Sequence, residues 1–384
     1  MAPTSTAPTP PVARLTWGQV RGWRLARQHL DRRVPSGAML DVAARLAGVH
    51  AQVLSSAELT LWARVDRLAP DAVARALRDD RSLVKTWAMR GTLHLLPSSE
   101  YPVWQAALGT YRHFEKPAWS RAFGVTPTEL DALVDAVGTA LDGRLLTREE
   151  LADEVARLTG SAALGDKLRE SWGALLKPAS FRGRLCFGPN AGQKVRFTRP
   201  DRWIGGWAPV DPDHALAEAT RRFLGAHGPA TREDLARWWG GSPAAGGRML
   251  AALGEEVAPV EVDGEAAWAL SEEVAGLEAA TGSRTVRLLP AFDQYVIGST
   301  RHAARLLPGD FKDRVHRPQG WVSPVLLVDG RMDGVWRHER SARRLTVTIE
   351  PFVTVPSWAR RGAQEEAERL AAYLGGNLEL VWAD

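Results

Sequence analysis

The sequence predicts an α+β protein with three tandem winged-helix (helix-turn-helix) units, a C-terminal β-rich module and a β-hairpin. Two stretches, LTREELADEVARL from Leu146 and ATREDLARWW from Ala230, share one pattern. Each has a threonine with an acid three residues later, before a helical stripe of apolar residues. A short glycine-bearing turn and a second helical segment follow, which is the helix-turn-helix layout.

The N-terminal region fits the same plan. Strands are predicted over residues 83–87 and 92–96, joined through Met89-Arg90-Gly91. Before them the apolar periodicity predicts four helices, near residues 15–30, 40–47, 55–65 and 70–78. This segment forms winged-helix unit 1 (residues 15–97), and the Pro/Thr/Ala-rich residues 1–14 before it are expected to be a flexible tail.

Each of the two repeated helix pairs is followed by strand-like segments that can form a wing. In winged-helix unit 2 (residues 98–205) these segments are 181–187 and 194–197. In winged-helix unit 3 (residues 206–287) they are 257–262 and 266–270.

The C-terminal module, residues 288–384, departs from this plan. Asp329-Gly330 between two apolar runs is a strong hairpin signal and predicts a hairpin over residues 325–337. Further strands are predicted at 345–349 and 378–381, with a covering helix over 357–373.

A short polar pattern lies between the second and third predicted helices, in AGVHAQVLSSAE from Ala47. Gly48 is a helix stop signal, and the S-x-x-E sequence from Ser55 is typical of a helix start. The residues between them are therefore predicted to be an extended connector. Alternate residues of an extended chain share one side, so His50 and Gln52 could face one pocket.

Composition limits the classes of partner. The chain has 384 residues, a formal charge of +4 and a pI near 9.4, and most of its cationic residues are arginine. Arginine suits bidentate phosphate contacts, although a GC-rich genome would produce the same bias. No run reaches the roughly 18 apolar residues that span a membrane. The N-terminus does not read as a secretion signal and Cys186 is the single cysteine, so we expect a cytoplasmic protein.

Longer blocks resemble a known family. TWAMRGTLHLLP (86–97), LLPAFDQYVIG (288–298) and RPQGWVSPVLLVDGRMDGVWRHE (317–339), followed by LTVTIEPF (345–352), are similar to tandem winged-helix DNA glycosylases of the AlkZ type, over residues 15–382. The resemblance implies hydrolysis of the N-glycosidic bond of bulky or crosslinking N-alkylated purines. The family motif is Gln-x-Gln or His-x-Gln, and His50-Ala51-Gln52 stands in its place. Gln52, rather than an acid, argues against the Gln-x-Asp branch.

Hydrolysis of this N-glycosidic bond needs little beyond a positioned water, because a cationic alkylpurine is already a good leaving group. His50, with an ordinary pKa near 6.5, can serve as general base, and the Gln52 carboxamide oxygen can orient the water. The alternative is that the two side chains only cap backbone groups. No lysine stands at the motif to form a Schiff base, and the sequence shows no zinc-ligand spacing. We therefore expect hydrolysis without metal or cofactor.

Candidate DNA contacts follow from the same resemblance. The hairpin 325–337 corresponds to one that enters the minor groove, with Arg331 as a cation and Met332 as an apolar wedge near its tip. An ordinary hairpin tip is the alternative for these two. A basic cluster follows the hairpin and consists of Arg337, His338, Arg340, Arg343 and Arg344. Phosphate binding and an ordinary solvated strand edge are equally good interpretations of this cluster.

Three further residues complete the predicted site. Arg90 fits a phosphate contact or a local ion pair equally well. Asp293 and Tyr295 are pocket candidates, with an aspartate suited to positive charge on the sugar and the tyrosine also compatible with a core position. The function predicted is that of a monofunctional DNA glycosylase acting as a monomer on double-stranded DNA that carries alkylated purines. The alternatives are a non-catalytic DNA-binding regulator on the same scaffold and a protein-interaction module.

Overall fold

The structure is a computed structural model and describes residues 11–383, which divide into two compact units. Within that range, the first unit contains residues 11–46, 59–68 and 220–383, and the second contains 47–58 and 69–219. The predicted α+β class is confirmed. Residues 1–10 of the predicted flexible tail lie outside the described residues. Its last part is not a free tail, because Ala13–Leu15 is a β-strand.

Helices occur throughout both units and are numbered in chain order. They are α1 (Trp17–Arg27), α2 (Met39–Arg45), α3 (Leu54–Trp62), α4 (Ala72–Arg78), α5 (Tyr101–Leu108), α6 (Pro117–Phe123), α7 (Pro127–Ala140), α8 (Arg148–Thr159), α9 (Ala162–Glu170), α10 (Lys177–Phe181), α11 (Pro200–Trp203), α12 (Pro212–His227), α13 (Arg232–Trp239), α14 (Pro243–Ala251), α15 (Val274–Ala279), α16 (Gln294–Gly298), α17 (Ala303–Leu306), α18 (Lys312–Val315) and α19 (Ser357–Leu374).

The strands form three sheets. In chain order they are β1 (Ala13–Leu15), β2 (Val49–His50), β3 (Leu83–Trp87), β4 (Leu93–Pro97), β5 (Leu146–Thr147), β6 (Cys186–Phe187), β7 (Arg196–Thr198), β8 (Val257–Val262), β9 (Glu265–Leu270), β10 (Val286–Leu289), β11 (Val325–Val328), β12 (Arg331–Arg340), β13 (Arg344–Pro351) and β14 (Asn377–Trp382).

The first unit holds two of these sheets. In one, the antiparallel hairpin β8–β9 is extended by β1, which runs parallel to β8 with Ala13 opposite Val260. The other has the order β10-β11-β12-β13-β14, antiparallel except for the last pair, and α19 packs on β10 and β14. The turn at Asp329-Gly330 has positive φ at both residues, 47° and 76°, as a two-residue hairpin turn requires.

The second unit is built on one six-stranded sheet of order β2-β4-β3-β6-β7-β5, antiparallel throughout. Its two predicted hairpins are present as β3–β4 and β6–β7, and they join where Lys85 lies opposite Phe187. The predicted strand 181–187 is wrong at its start, because Phe181 ends α10 and is fully buried. A side chain buried on every side fits a short helix better than the face of a wing.

The two repeated helix pairs share their geometry as well as their sequence pattern. Thr147 and Thr231 both form capping boxes, with Glu150 and Asp234 respectively. In each pair a glycine on the second helix touches the first. A Cβ on Gly165 would lie 2.8 Å from the carbonyl oxygen of Ala152, and one on Gly246 would lie 2.3 Å from that of Arg232. Both pairs therefore bring their helices into backbone contact; three winged-helix units over 15–97, 98–205 and 206–287 remain a prediction.

Candidate active site

The connector that carries the polar pattern begins with an abrupt reversal of the chain. Helix α2 ends at Arg45, and Ala47 and Gly48 follow with φ of 55° and 91°. A Cβ on Gly48 would lie 2.7 Å from Cδ2 of Leu96, so glycine also permits close approach to β4. The predicted helix stop is confirmed. The capping box predicted at Ser55 is wrong, because α3 begins at Leu54 and Ser55 already lies in its first turn.

The connector then pairs with β4 as a short extended strand. His50 lies opposite His94, and the backbone N–H of Ala51 donates to the carbonyl of Leu93 at 2.7 Å. The predicted extended backbone at His50 is thus confirmed. Gln52 follows in a bend, and its side chain is exposed while that of His50 is only 5% exposed.

His50 packs against a second histidine that the sequence-based site did not include. The two imidazole rings of His50 and His94 meet edge to face, with centroids 5.4 Å apart and planes at 78°. His94 is buried, and its Nδ1 lies 3.1 Å from the carbonyl oxygen of Thr92. The only signal in the sequence was a histidine inside the apolar strand TLHLLP, and its meaning depends on pairing with a distant strand.

Both imidazoles are held neutral. Burial, followed by the positive charge of Arg90, lowers the pKa of His50 to about 4. Burial lowers the pKa of His94 well below its usual range, with His50 and Arg90 adding to the effect. The ordinary pKa near 6.5 expected for His50 is therefore wrong, because burial disfavours the charged imidazolium. At neutral pH each ring keeps one nitrogen lone pair as a hydrogen-bond acceptor.

Arg90 supplies the positive charge beside these rings. It lies in the turn between β3 and β4 with φ of 58°, and this turn is closed by the Ala88 N–H donating to the carbonyl of Thr92 at 2.9 Å. A backbone hydrogen bond from Arg90 to Tyr111 holds the turn against a buried tyrosine. A Cβ at Gly91 would lie 3.4 Å from Nζ of Lys177, so a second cation borders the same turn.

The structure contradicts the pocket roles predicted for Asp293 and Tyr295. The Asp293 carboxylate is 0% exposed and accepts from both terminal nitrogens of Arg64, at 2.7 and 2.8 Å. It also caps α16 through the backbone N–H of Tyr295. The Tyr295 hydroxyl donates to the carbonyl of Gly330 at 2.8 Å inside the core. With its oxygens committed and no solvent access, Asp293 is a structural anion of the first unit.

The predicted minor-groove wedge is also wrong. Met332 is 0% exposed, because it lies on the core-facing side of β12. The turn before it is covered, since a Cβ on Gly330 would lie 3.0 Å from the Tyr295 hydroxyl and 3.1 Å from Cβ of Arg21. Arg331 is partly exposed and lies 3.3 Å from Asp333. The exposed hairpin tip is the next one, between β12 and β13 at residues 341–343.

The predicted basic cluster lies on this exposed hairpin, and its members differ in pairing. Arg337 forms an ion pair with Glu350, and Arg344 lies 3.4 Å from Glu379. Arg340 and Arg343 are exposed and have no acidic partner within residues 11–383. A phosphate could therefore pair with either of these two arginines without displacing a carboxylate of the described range.

No group of three His, Cys, Asp or Glu side chains within residues 11–383 is placed to hold a metal ion. None of the helices in that range combines the length and the apolar character needed to cross a membrane.

Helix-turn-helix pairs followed by hairpins are typical of proteins that bind nucleic acid. Comparison with known proteins narrows that class. A family model described as "AlkZ-like: DNA glycosylase AlkZ-like" matches residues 43–373. The interstrand DNA cross-link repair glycosylase of Streptomyces sahachiroi is 39% identical over 367 residues, which cover 94% of this chain and 97% of that protein.

A solved structure agrees. Streptomyces sahachiroi DNA glycosylase AlkZ matches with a TM-score of 0.87 and 38% identity, covering 96% of this chain and 100% of that one. The chain therefore belongs to the AlkZ-like DNA glycosylase family, whose members are hydrolases acting on N-glycosyl bonds. The resemblance predicted from the sequence is confirmed.

Proposed function

We propose that this protein excises cationic N-alkylated purines from double-stranded DNA, with His50 and Gln52 positioning the attacking water. The observation that carries the proposal is a buried histidine, kept neutral beside Arg90 and followed two residues later by an exposed glutamine. This pattern lies inside the region matched by the family model.

The substrate class follows from what such a site can supply. An N7-alkylguanine or N3-alkyladenine carries a positive charge, so its bond to the sugar breaks without protonation of the base. A neutral purine would need a strong acid at the leaving group. The pKa of His50, at about 4, makes its imidazolium scarce at neutral pH. Excision is therefore restricted to cationic lesions.

His50 acts mainly by orientation. A pKa of about 4 makes its imidazole a weak acceptor of a whole proton but leaves a lone pair that can accept a hydrogen bond from water. An oxocarbenium-like sugar reacts with water early, before much charge develops on the water, so orientation is the larger need. Gln52 is uncharged over the whole pH range, and its carboxamide oxygen can accept a second hydrogen bond from the same water.

Arg90 fits a phosphate contact better than a direct role in bond cleavage. The positive charge of a guanidinium beside the site would oppose the positive charge that grows on the sugar. A DNA phosphate bound to Arg90 would neutralise the guanidinium charge when the substrate binds. The same contact would fix the lesion strand beside β4 and the connector.

Bulky substrates are consistent with this arrangement. Complete extrusion of a base costs a few kcal/mol and needs an enclosing pocket, whereas a water held near the sugar does not require the base to be enclosed. The Streptomyces sahachiroi relative is described as an interstrand DNA cross-link repair glycosylase. We extend that substrate to this chain and propose that it unhooks purine crosslinks, acting as a monomer in the cytoplasm.

The test uses a duplex with a single N7-methylguanine. Released base is measured by chromatography and abasic sites by alkaline cleavage, under single-turnover conditions. His50→Ala and Gln52→Ala should each slow excision by about a hundredfold or more, in line with the contribution of one positioned group. Binding of the same duplex and the circular dichroism spectrum should be unchanged.

Matched variants separate the possible roles. His214→Ala and Gln364→Ala remove an exposed histidine and glutamine from helices α12 and α19 and should leave the rate unchanged. His50→Gln keeps a hydrogen-bond acceptor without a titrating group, so it should retain far more activity than His50→Ala. Equal loss in both His50 variants would show that a proton is transferred. Wild-type protein that binds alkylated DNA but releases no base would refute the proposal.

A further inference from the structure

The first unit contains a cavity of about 370 Å³, and half of the residues that line it are arginine. It lies beside β10 and α19. Its charged lining comprises five arginines and two glutamates, namely Arg33, Arg284, Arg287, Arg361, Arg369, Glu365 and Glu366. The lining therefore has an excess of three positive charges.

The buried carboxylate cannot balance the arginines around it. Glu366 forms an ion pair with Arg33, and the same oxygen lies 4.0 Å from Nη1 of Arg287. Arg369 donates instead to the backbone carbonyls of Trp62 and Val65, at 2.7 and 2.5 Å. Glu366 thus pairs with only two of the three inner guanidinium groups.

Two of these guanidinium groups keep N–H bonds without an acceptor. Nε of Arg287 and Nη1 of Arg369 are buried and have no hydrogen-bond partner within residues 11–383. Burial lowers the pKa of each arginine to about 10, and the nearby Arg33 contributes in both cases. An added anion would offset both the missing hydrogen bonds and the mutual repulsion of the cations.

The outer arginines differ from the inner three in their exposure and pairing. Arg284 and Arg361 are exposed, and neither has a hydrogen bond or an ion pair to another residue of the described range. The Arg284 guanidinium lies 6.0 Å from the ring of Trp358, which also lines the cavity. Cations that are unpaired at the mouth and incompletely paired inside are the arrangement expected of an anion site rather than of a structural network.

We propose that this arginine pocket binds a phosphate group. Planar guanidinium forks match the tetrahedral oxygens of a phosphate, and the cavity is wide enough for one or two phosphate groups. The phosphate can belong to a free anion or to a DNA backbone, and the same variants distinguish these sources. The inference goes beyond base excision, and its readouts do not depend on excision.

The first experiment is a calorimetric titration of the whole protein with inorganic phosphate and with pyrophosphate, in a low-salt chloride buffer. Saturable binding is expected. The double variant Arg284→Gln/Arg361→Gln should weaken it by about tenfold, because two unpaired cations leave the mouth. Glu365→Gln should tighten it by a few-fold, because a rim anion is removed.

Arg360→Gln is the matched control. Arg360 is exposed on the same helix and has the same charge, but its guanidinium rests 4.3 Å from the ring of Trp382 and does not line the cavity. This variant should bind phosphate as the wild type does. A loss equal to that of the double variant would reduce the effect to net charge and overturn the proposal.

The second experiment measures the affinity of the same variants for an unmodified duplex. A parallel loss of DNA affinity in the double variant, but not in Arg360→Gln, assigns the pocket to the DNA backbone. Phosphate binding lost with DNA affinity unchanged assigns it to a free phosphate anion. No phosphate binding by the wild type together with unchanged DNA affinity in the double variant would refute the site.

Discussion

The connector in the second unit and the segment around Asp293 in the first both bury polar side chains, yet they differ in how the buried groups are compensated. Asp293 and Arg64 are each 0% exposed, and two hydrogen bonds join their opposite charges. His50 and His94 are buried as well, and burial lowers the pKa values of both so that the rings are neutral. The cost of burial is therefore offset by ion pairing in the Asp293–Arg64 pair, and it is avoided in the two histidines because their rings stay uncharged.

This difference separates structural from chemical groups. A buried pair that satisfies itself has nothing left for a substrate, and breaking it is costly. A neutral imidazole at the end of a short strand, beside a cation and an exposed glutamine, keeps an acceptor for a water. A buried group with a perturbed pKa is a candidate for function, whereas a buried ion pair that satisfies itself is a candidate for a structural role.

The largest expected effect concerns the paired group. Asp293→Asn should lower the free energy of unfolding by about 3–5 kcal/mol, because Arg64 loses its buried counter-charge. Asparagine can still cap α16, so the loss reports the charge. Urea unfolding followed by circular dichroism measures it, with Glu154→Gln in the exposed pair with Arg157 as a nearly neutral control. A stable variant without excision activity would instead place Asp293 in the active site.

A second prediction concerns the uncompensated group and acid stability. The pKa of His94 is well below its usual 6.5 in the folded protein, so below that pH the unfolded chain takes up a proton that the folded protein does not. Stability should therefore fall as the pH decreases from about 6.5, by up to about 1.4 kcal/mol per pH unit for one histidine, and be unaffected above it. His94→Leu should flatten this slope. Unfolding midpoints from pH 7 to 5 test it, and an unchanged slope would contradict neutral burial.

The third prediction is the pH dependence of excision. If His50 orients the water as proposed, its active form is the neutral ring, and with its pKa at about 4 the single-turnover rate should stay level from pH 8 to about pH 5. A histidine of ordinary pKa would already lose about tenfold near pH 5.5. Arg90→Gln removes a nearby positive charge and should move the acidic limb to higher pH. A wild-type midpoint near 6.5 would show that His50 is not held neutral in this way.

The smallest effects are expected at the exposed hairpin tip. Arg340→Gln and Arg343→Gln should each weaken binding to a duplex by a few-fold and lower the dependence of log affinity on log salt by about one. Arg337→Gln should change both less, because Glu350 already engages that arginine. Titrations at several salt concentrations test this ranking. Equal effects at all three positions would mean that pairing with Glu350 does not limit Arg337.

Local signals in the sequence predicted local structure well. The threonine–acid pattern predicted the helix starts at Thr147 and Thr231, where capping boxes form. Asp329-Gly330 predicted a hairpin turn, and Gly48 predicted the end of α2. Each of these depends on contacts within a few residues, which the chain order itself supplies.

The errors at Met332 and Asp293 have a different origin. The sequence predicted the hairpin turn near Met332, but it did not predict that Tyr295 packs on Gly330. The tip was therefore wrongly expected to be exposed. Asp293 had the chemistry for a sugar cation, but Arg64 lies far away in the chain and occupies both of its oxygens. Solvent access and partners depend on distant segments, which a local pattern does not specify.

The amino-acid sequence by itself determined the α+β class, the end of α2 near Gly48 and the extended backbone at His50, because turn chemistry and side-chain periodicity act over short distances. Only the tertiary structure decided that His50 is neutral, that His94 lies beneath it and that Asp293 is structural. Burial and charge pairing set those properties, and both arise when strands such as β2 and β4 come together from distant parts of the chain.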